Sequence, residues 1–244
     1  MDLPENIIFD GISLLVIIID IILTYIIAVK SYNMYKMKKS YQTKLFSIAS
    51  YLTATAMIFL ITEKIFFLLS DTPNDLFANI GMWVISPIAI SISGIAIMVI
   101  VAFASNMAFP KRYKTLTIIA AVFICIYIGF HIFDPYKYVG GDEIIFDPWP
   151  MIGVSVTQWI IFGVLMPIII FPVFLFFYYA IKIRSKSQIR FKRSVLMGLA
   201  GIFLALGYLF ELVGLPPYIS AITRSFFLVS GILFYWALFK LKED

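Results

Sequence analysis

The sequence predicts an all-α, polytopic membrane protein whose seven transmembrane helices form a single domain, residues 1–244. Hydrophobic residues make up 62% of the chain and charged residues only 14%, whereas soluble domains are about 45–50% apolar and about 25% charged. The apolar residues also collect in long runs, each longer than the roughly 20 residues that cross a bilayer as a helix. These runs lack the polar alternation of a membrane β-barrel strand, so strands are not expected.

Seven apolar runs follow one another along the chain. The first is too long for the core of a signal peptide and has no small-residue cleavage site, so we interpret it as a retained helix. Pro87 is expected to kink the third helix, and Pro167 and Pro172 the fifth. Pro216 and Pro217 are expected to end helix six and to start helix seven. The runs are residues 10–31, 44–70, 77–108, 113–133, 152–182, 193–214 and 217–240.

The basic residues of the loops predict the orientation. Sixteen of the nineteen Lys and Arg residues lie in alternate loops and in the tail. The other loops carry eight acids and only Lys137 as a base. Because Lys and Arg accumulate on the cytoplasmic side, the N-terminus is expected outside and the C-terminus in the cytoplasm. The sixteen are Lys30, Lys36, Lys38, Lys39, Lys44, Lys111, Arg112, Lys114, Lys182, Arg184, Lys186, Arg190, Lys192, Arg193, Lys240 and Lys242.

The composition excludes several classes of partner and cofactor. The net charge of +5 follows from the membrane topology, because anionic inner-leaflet lipid accommodates these bases, so no nucleic-acid partner is expected. A single Cys125 rules out a disulfide framework, and with a single His131 it argues against zinc sites and bis-histidine haem. We predict no cofactor and no metal. The partners expected are the lipid bilayer and, at loop 182–193, a cytoplasmic signalling protein.

The two halves of the chain suggest an internal 3+1+3 repeat. Aligning Lys44 with Lys192 places Glu63 beside Glu211, and both halves then show a basic loop, an apolar helix and an acid near its outer end. Some seven-helix proteins are built from such parallel repeats. Hydropathy and charge rules alone could produce much of the same pattern, so the duplication is a hypothesis.

Polar residues inside the predicted spans indicate where a ligand would bind, because intramembrane charges are costly and usually face the interior or water. On helix one, Ser13, Asp20 and Thr24 share a face by steps of seven and four residues. Small residues such as Ser, Thr, Gly and Ala on one face of a helix can also be explained by packing against a neighbouring helix, without any ligand. We predict a polar pocket for an unknown small ligand, open to the outer side and lined by Asp20, Glu63, Lys64, Gln158, Glu211 and Arg224.

Glu211 and Arg224 flank the predicted turn between helices six and seven. The midpoint between them falls at or just after this turn, so an antiparallel hairpin would place both charges at a similar depth. Either charge alone at that depth would cost on the order of 2–3 kcal/mol, and less near the interface. We therefore expect the two to interact, directly or through one intermediary, as a lock between the helices; competition by a ligand for either charge is the alternative.

The stretch RFKRSVLMGLAGIFLALGYLFELVGLPP combines basic residues, a small-residue helix and a short outer turn. In this respect the chain resembles the seven-helix membrane sensor regions that precede prokaryotic histidine kinases. The resemblance implies a sensor or receptor-like protein of the cell membrane, either with its output domain in a separate protein or as a solitary relative of these regions. Helix seven has no mid-membrane Lys for a retinal Schiff base, which argues against a rhodopsin.

Two further functions stay open from the sequence alone. A small-solute or ion transporter of the 3+1+3 repeat type would account for the repeat and for the buried charges. An enzyme is less expected, since no nucleophile and base occur at a recognisable spacing and the cytoplasmic loops are too short for a catalytic domain. Flux in proteoliposomes would favour the transporter, and co-purification with a cytoplasmic kinase would favour the sensor.

Overall fold

The computed structural model describes residues 3–69, 76–133, 139–140, 143–144, 156–213 and 217–241. Within these ranges the chain is helical apart from short turns between helices and one pair of two-residue strands. The helices are α1 (Leu3–Lys38), α2 (Tyr41–Leu68), α3 (Leu76–Ile80), α4 (Ser86–Ala108), α5 (Tyr113–Phe133), α6 (Val156–Ile183), α7 (Gln188–Val213) and α8 (Pro217–Tyr235). The strands β1 (Val139–Gly140) and β2 (Glu143–Ile144) pair antiparallel between α5 and α6.

Two π-helical turns extend these helices. Gly81–Ile85 joins α3 to α4, and Trp236–Lys240 continues α8. In the first, the backbone N–H of Ser86 bonds to the carbonyl oxygen of Gly81, five residues earlier. Pro87 follows directly, and its ring would clash with the carbonyl four residues before it, so a widened turn relieves the crowding. The sequence predicts a kink at Pro87, and the helix accommodates this proline by a local widening.

Five of the described helical segments are long and apolar enough to cross a membrane, so the chain is a multi-pass membrane protein. Two further long helices are α5, in which Tyr113–Gly129 is the apolar stretch with described side chains, and α7, whose first turns carry Arg190, Lys192 and Arg193. The five segments are Gly11–Lys38, Tyr41–Phe66, Leu76–Ala108, Gly163–Ile183 and Ile222–Lys240.

Large apolar side chains cover the outside of the bundle. Ile118 on α5 is 64% exposed, Phe174 on α6 is 67% exposed and Ile181 on the same helix is 75% exposed. A soluble protein would bury most of these side chains, because exposed apolar patches of this extent cause aggregation in water. The outer surface of the bundle is therefore suited to contact with the lipid hydrocarbon chains of a membrane.

The helices pack in a closed ring in the order of the sequence. Each long helix contacts the next, from α1 through α2, α4, α5, α6 and α7 to α8, and α8 returns to contact α1. The α4 and α6 helices also pack against each other. Gly94 on α4 permits close approach of α5, since a Cβ there would lie 2.9 Å from Cγ2 of Ile124.

Contacts between the first and last helices show that these two run parallel. Arg224 near the start of α8 bonds to Ser13 near the start of α1, and Lys30 Nζ further along α1 donates to the Tyr235 hydroxyl at 2.6 Å. The α2 helix runs antiparallel to α1, because Ser47 near the start of α2 donates to the carbonyl of Ala28 at 3.2 Å. These contacts show which residues of different helices lie at the same height along the bundle axis.

Basic and tyrosine side chains gather at one end of the bundle, which we call the basic end. Lys182 donates to the carbonyl of Ala108 at 3.4 Å, and Arg193 Nε donates to the carbonyl of Leu241 at 3.1 Å. The connections after α1, α4 and α6 all lie here. Several Lys side chains lie over tyrosine rings in this region, an arrangement typical of long side chains at a membrane interface. These pairs are Lys30–Tyr235, Lys36–Tyr32, Lys39–Tyr35, Lys44–Tyr35 and Lys182–Tyr178.

Candidate functional site

The polar face predicted for helix one points into the bundle. Ser13, Asp20 and Thr24 are all buried, whereas Ile18 and Ile22 between them are exposed. A helix with a 3.6-residue period places these two sets on opposite faces. Asp20 is only 2% exposed, so its carboxyl group is enclosed by protein.

Asp20 borders a small cavity of about 50 Å³ between the helices. The α1, α2 and α8 helices supply most of the wall, and α4 and α7 contribute one residue each. The cavity exceeds the roughly 10–15 Å³ needed to hold one water molecule, but it is much smaller than the roughly 300–1,000 Å³ of sites for drug-sized ligands. It is lined by Asp20, Thr24, Ile27, Phe46, Ala49, Ser50, Thr53, Met57, Ile100, Leu204, Phe227, Ser230, Gly231 and Phe234.

Asp20 lies near the middle of its span. The hydrocarbon core of a bilayer is about 30 Å thick. Asp20 is ten residues before Lys30, or about 15 Å, and Lys30 lies at the basic end. A carboxyl group at this depth needs polar partners or water.

Two neighbours shape the surroundings of the Asp20 carboxyl group. The side chain of Thr24, one turn further along α1, forms a hydrogen bond with it. On α8, a Cβ built on Gly231 would lie 3.5 Å from Oδ1 of Asp20 and 2.9 Å from Cδ2 of Leu23. Glycine at position 231 therefore lets α8 approach α1 closely beside the carboxyl group.

Three further hydroxyl groups line the cavity, and each donates its hydrogen to a backbone carbonyl. Ser50 Oγ bonds to the oxygen of Phe46 at 3.0 Å, and Thr53 Oγ1 bonds to the oxygen of Ala49 at 2.9 Å. Ser230 Oγ bonds to Ala200 of the neighbouring α7 at 2.8 Å. A hydroxyl has one hydrogen and two lone pairs, so these three can only accept further hydrogen bonds or bind a cation.

Arg224 lies in the same interface, closer to the end opposite the basic end. It is 4% exposed, and its guanidinium donates to the hydroxyl of Ser13. Ser13 and Asp20 are seven residues apart, so this contact lies about 10 Å from Asp20 along α1. Arg224 also makes a further interaction, so the contact with Ser13 is one part of its surroundings.

The other four predicted site residues have different outcomes. Glu63 and Lys64 are half-buried on α2, and each takes part in an interaction, but neither borders the cavity. Gln158 lies on α6 and Glu211 on α7, and their side chains lie outside the described part of the structure. Among the six predicted residues, Asp20 alone lines the cavity that the described side chains form.

A second polar contact joins α4 to α7. The hydroxyls of Ser93 and Tyr208 lie 3.0 Å apart, and Tyr208 also packs edge-on against the ring of Phe227. Ser86, seven residues before Ser93, is buried, whereas Asn79, a further seven residues back, is exposed. This polar face therefore points into the interior only along α4.

Sequence reasoning missed Ser50, Thr53 and Ser230 as parts of a site. A signal was present, because Ser50, Thr53 and Met57 recur at helical spacing on one face of α2. Small hydroxyl residues are so common at helix contacts in membranes that this spacing alone does not identify a site. Their position opposite Asp20 depends on how α1, α2 and α8 pack.

Comparison of the chain with protein-family models, with curated proteins and with solved structures gives no match.

Proposed function

We propose that the chain is a seven-helix protein of the cell membrane with its N-terminus outside and its C-terminus in the cytoplasm. The five apolar segments, α5 and α7 lie in one closed ring, which supports seven spans. Because α1 and α8 are parallel neighbours, the total number of crossings is odd, in agreement with seven. The basic end would face the cytoplasm, where Lys and Arg accumulate.

In this proposal the protein is a sensor or receptor-like protein that binds a small ligand in the cavity beside Asp20. The observation that carries the proposal is the buried carboxyl group at the junction of the first and last helices. A ligand held there contacts both α1 and α8, so its binding can change how the two helices pack. A ligand shifts a conformational equilibrium only through such different contacts in the two states.

The last helix offers a path from the cavity to the basic end. Gly231 lies beside Asp20, and Leu241 lies ten residues further along the chain. The carbonyl of Leu241 accepts from Arg193, which lies at the end of the 182–193 segment expected to bind a cytoplasmic signalling protein. The intervening Trp236–Lys240 turn is π-helical, and such turns are frequent at functional sites. A movement of α8 would therefore be transmitted to the 182–193 segment through the contact between Leu241 and Arg193.

A labelling experiment tests this coupling. A spin label is attached through Lys186→Cys, in the turn between α6 and α7, after the exposed Cys125 is replaced by Ser. Gly231→Leu forces α8 away from Leu23 and Asp20 on α1, because its Cβ alone would lie 2.9 Å from Cδ2 of Leu23, and it is expected to change the mobility of the label. Gly163→Leu is the matched control, because a Cβ at Gly163 has no atom within 4 Å. An unchanged label in a folded Gly231→Leu protein contradicts the proposal.

A transporter of small solutes or ions is the second candidate. The observation that favours it is the depth of Asp20, because carboxyl groups in the middle of a membrane often mark ion or proton pathways. The repeat hypothesis belongs to this candidate, and in both halves consecutive helices pack side by side. Ion or solute flux in proteoliposomes that is lost in Asp20→Asn would support the transporter over the sensor.

A further inference from the structure

We propose that a groove between α7 and α8 at the basic end binds an anionic phospholipid. The groove has a volume of about 400 Å³, which lies within the roughly 300–1,000 Å³ of ligand sites in proteins. It shares no lining residue with the cavity beside Asp20. The lipid is therefore a second ligand, and the proposed function does not require it.

The wall of the groove is apolar and lies within the membrane. Leu233 and Trp236 belong to the last of the candidate spans, and Val195 and Leu196 line the groove from α7. Leu233 lies eight residues before Leu241, so the wall extends about 12 Å inward from the end of the helix. An acyl chain fits this wall, because the wall exposes almost no polar atom that a water-soluble ligand could bind.

Positive charge lies at one end of the groove. Lys192 is the only charged residue among the described lining residues, and it is exposed. Because the wall is almost wholly carbon, Lys192 borders it with its aliphatic stem, and such side chains extend their ammonium group to the membrane interface. Lys240 precedes Leu241, and Arg193 donates to the carbonyl of Leu241, so two further cations lie at the same end. This end is complementary in charge to a phosphate headgroup.

The position of Trp236 supports the same depth. This side chain lines the groove and is 54% exposed. Trp residues collect at the level of the lipid headgroups, where the ring contacts hydrocarbon and the N–H finds a polar partner. The groove therefore runs from the headgroup level into the hydrocarbon, in the same order as the parts of a phospholipid. Basic pockets between membrane helices on the cytoplasmic side bind anionic headgroups, and the basic end faces that side in the proposed orientation.

A second copy of the chain fits this groove less well. Two copies in one membrane have the same orientation, so a symmetric contact through the groove would bring Lys192 and Lys240 close to their counterparts. Like charges that meet at an interface disfavour association. The phosphate of a lipid instead offsets the positive charge.

Quenching of Trp236 fluorescence by brominated lipid tests the site. Trp83, Trp149 and Trp159 are replaced by Phe, so that Trp236 is the remaining tryptophan of the full chain. The purified protein is placed in phosphatidylcholine vesicles that contain a small fraction of either phosphatidylglycerol or phosphatidylcholine with brominated acyl chains. We expect brominated phosphatidylglycerol to reach half-maximal quenching at a roughly fivefold lower mole fraction, because one basic residue near the surface contributes about 1 kcal/mol to the binding of anionic lipid.

Variants separate the groove from a general attraction to the basic end. Lys192→Gln should remove most of the preference for phosphatidylglycerol. Lys114→Gln is the matched control, because Lys114 is an exposed Lys near the start of α5 at the same end and does not line the groove. Val195→Phe narrows the groove and should also lower the preference, and Val122→Phe, at a position 54% exposed on α5, is its control. The preference compares two lipids in the same protein, so Val195→Phe decides the question if Lys192→Gln does not fold.

Three outcomes would overturn the inference. Equal half-maximal fractions for the two brominated lipids would identify ordinary contact with bulk lipid. Equal loss of preference in Lys192→Gln and Lys114→Gln would show that the attraction is spread over the basic end. Weak quenching by both lipids would show that a second copy covers Trp236 in place of a lipid. The mobility of the label at position 186 tests the cavity beside Asp20 and is decided separately.

Discussion

The guanidinium of Arg224 donates a hydrogen bond to the hydroxyl of Ser13, and this contact joins the first and last helices of the bundle. Both residues are buried. Seven residues further along each helix, Asp20 and Gly231 are again neighbours, so the two helices run in the same direction. The charged residues of α1 and α8 therefore occupy two successive levels of a single interface.

The topology gives the first prediction. With Cys125 replaced by Ser, single cysteines are introduced in the 183–188 turn and in the 134–149 loop and are exposed to an impermeant reagent in intact cells. The 134–149 cysteine should react and the 183–188 cysteine should not, because the basic end is expected in the cytoplasm. Permeabilised cells provide the control, since both sites should then react. The reverse pattern would show that the orientation is wrong.

The second prediction concerns the packing of α7 against α8. A Cβ at Gly207 would lie 2.9 Å from ring atoms of Phe227, so Gly207→Ala forces the ring to move. Overpacking of this kind typically costs about 1–3 kcal/mol, and we expect a loss of this size in the free energy of unfolding. Gly163→Ala, where a Cβ has no atom within 4 Å, should be neutral or slightly stabilising. Denaturant titration in detergent measures both variants, and equal stability would contradict the packing.

The hydrogen bond between Ser93 and Tyr208 gives the third prediction. Ser93→Ala and Tyr208→Phe each remove one partner of the 3.0 Å contact. Such bonds between membrane helices are worth about 0.6 kcal/mol on average in double-mutant cycles, with a maximum near 1.7. The cycle should therefore give a coupling energy within that range, measured from the unfolding free energies of the two single variants and the double variant. Strictly additive losses would mean that the two hydroxyls do not stabilise each other.

The sequence predicts much of this arrangement because membrane helices follow strong one-dimensional rules. Length and hydropathy locate the apolar segments, and steps of seven and four residues place Ser13, Asp20 and Thr24 on one face. The cavity itself could not be predicted, because it depends on which helices are neighbours. Ser50, Thr53 and Ser230 resemble ordinary packing residues until the structure brings them to Asp20. Gly231 could not be recognised from the sequence either, because its importance comes from the close approach of α8 to α1.

The fourth prediction concerns Glu211 and Arg224. The rings of Phe210 on α7 and Phe226 on α8 are 5.8 Å apart, and α7 and α8 are consecutive antiparallel helices, so positions 211 and 224 lie within about one turn of the same level. Arg224 is buried and uses part of its five donors on Ser13. A carboxylate at this level would neutralise its charge and accept a two-pronged hydrogen bond. We therefore expect Glu211 to interact with Arg224, directly or through one intermediary.

A charge-reversal cycle tests that pairing. Glu211→Arg and Arg224→Glu should each lower the unfolding free energy by roughly 2–3 kcal/mol, because each leaves like charges together in a poorly solvated region. The double swap restores opposite charges and should recover much of the loss, although Ser13 would then face a carboxylate and would have to donate its hydrogen. Ser13→Ala separates the two contacts of Arg224, because it removes the hydroxyl and leaves any Glu211 interaction in place. A double swap as unstable as the sum of its single variants would mean that Glu211 is not the partner of Arg224.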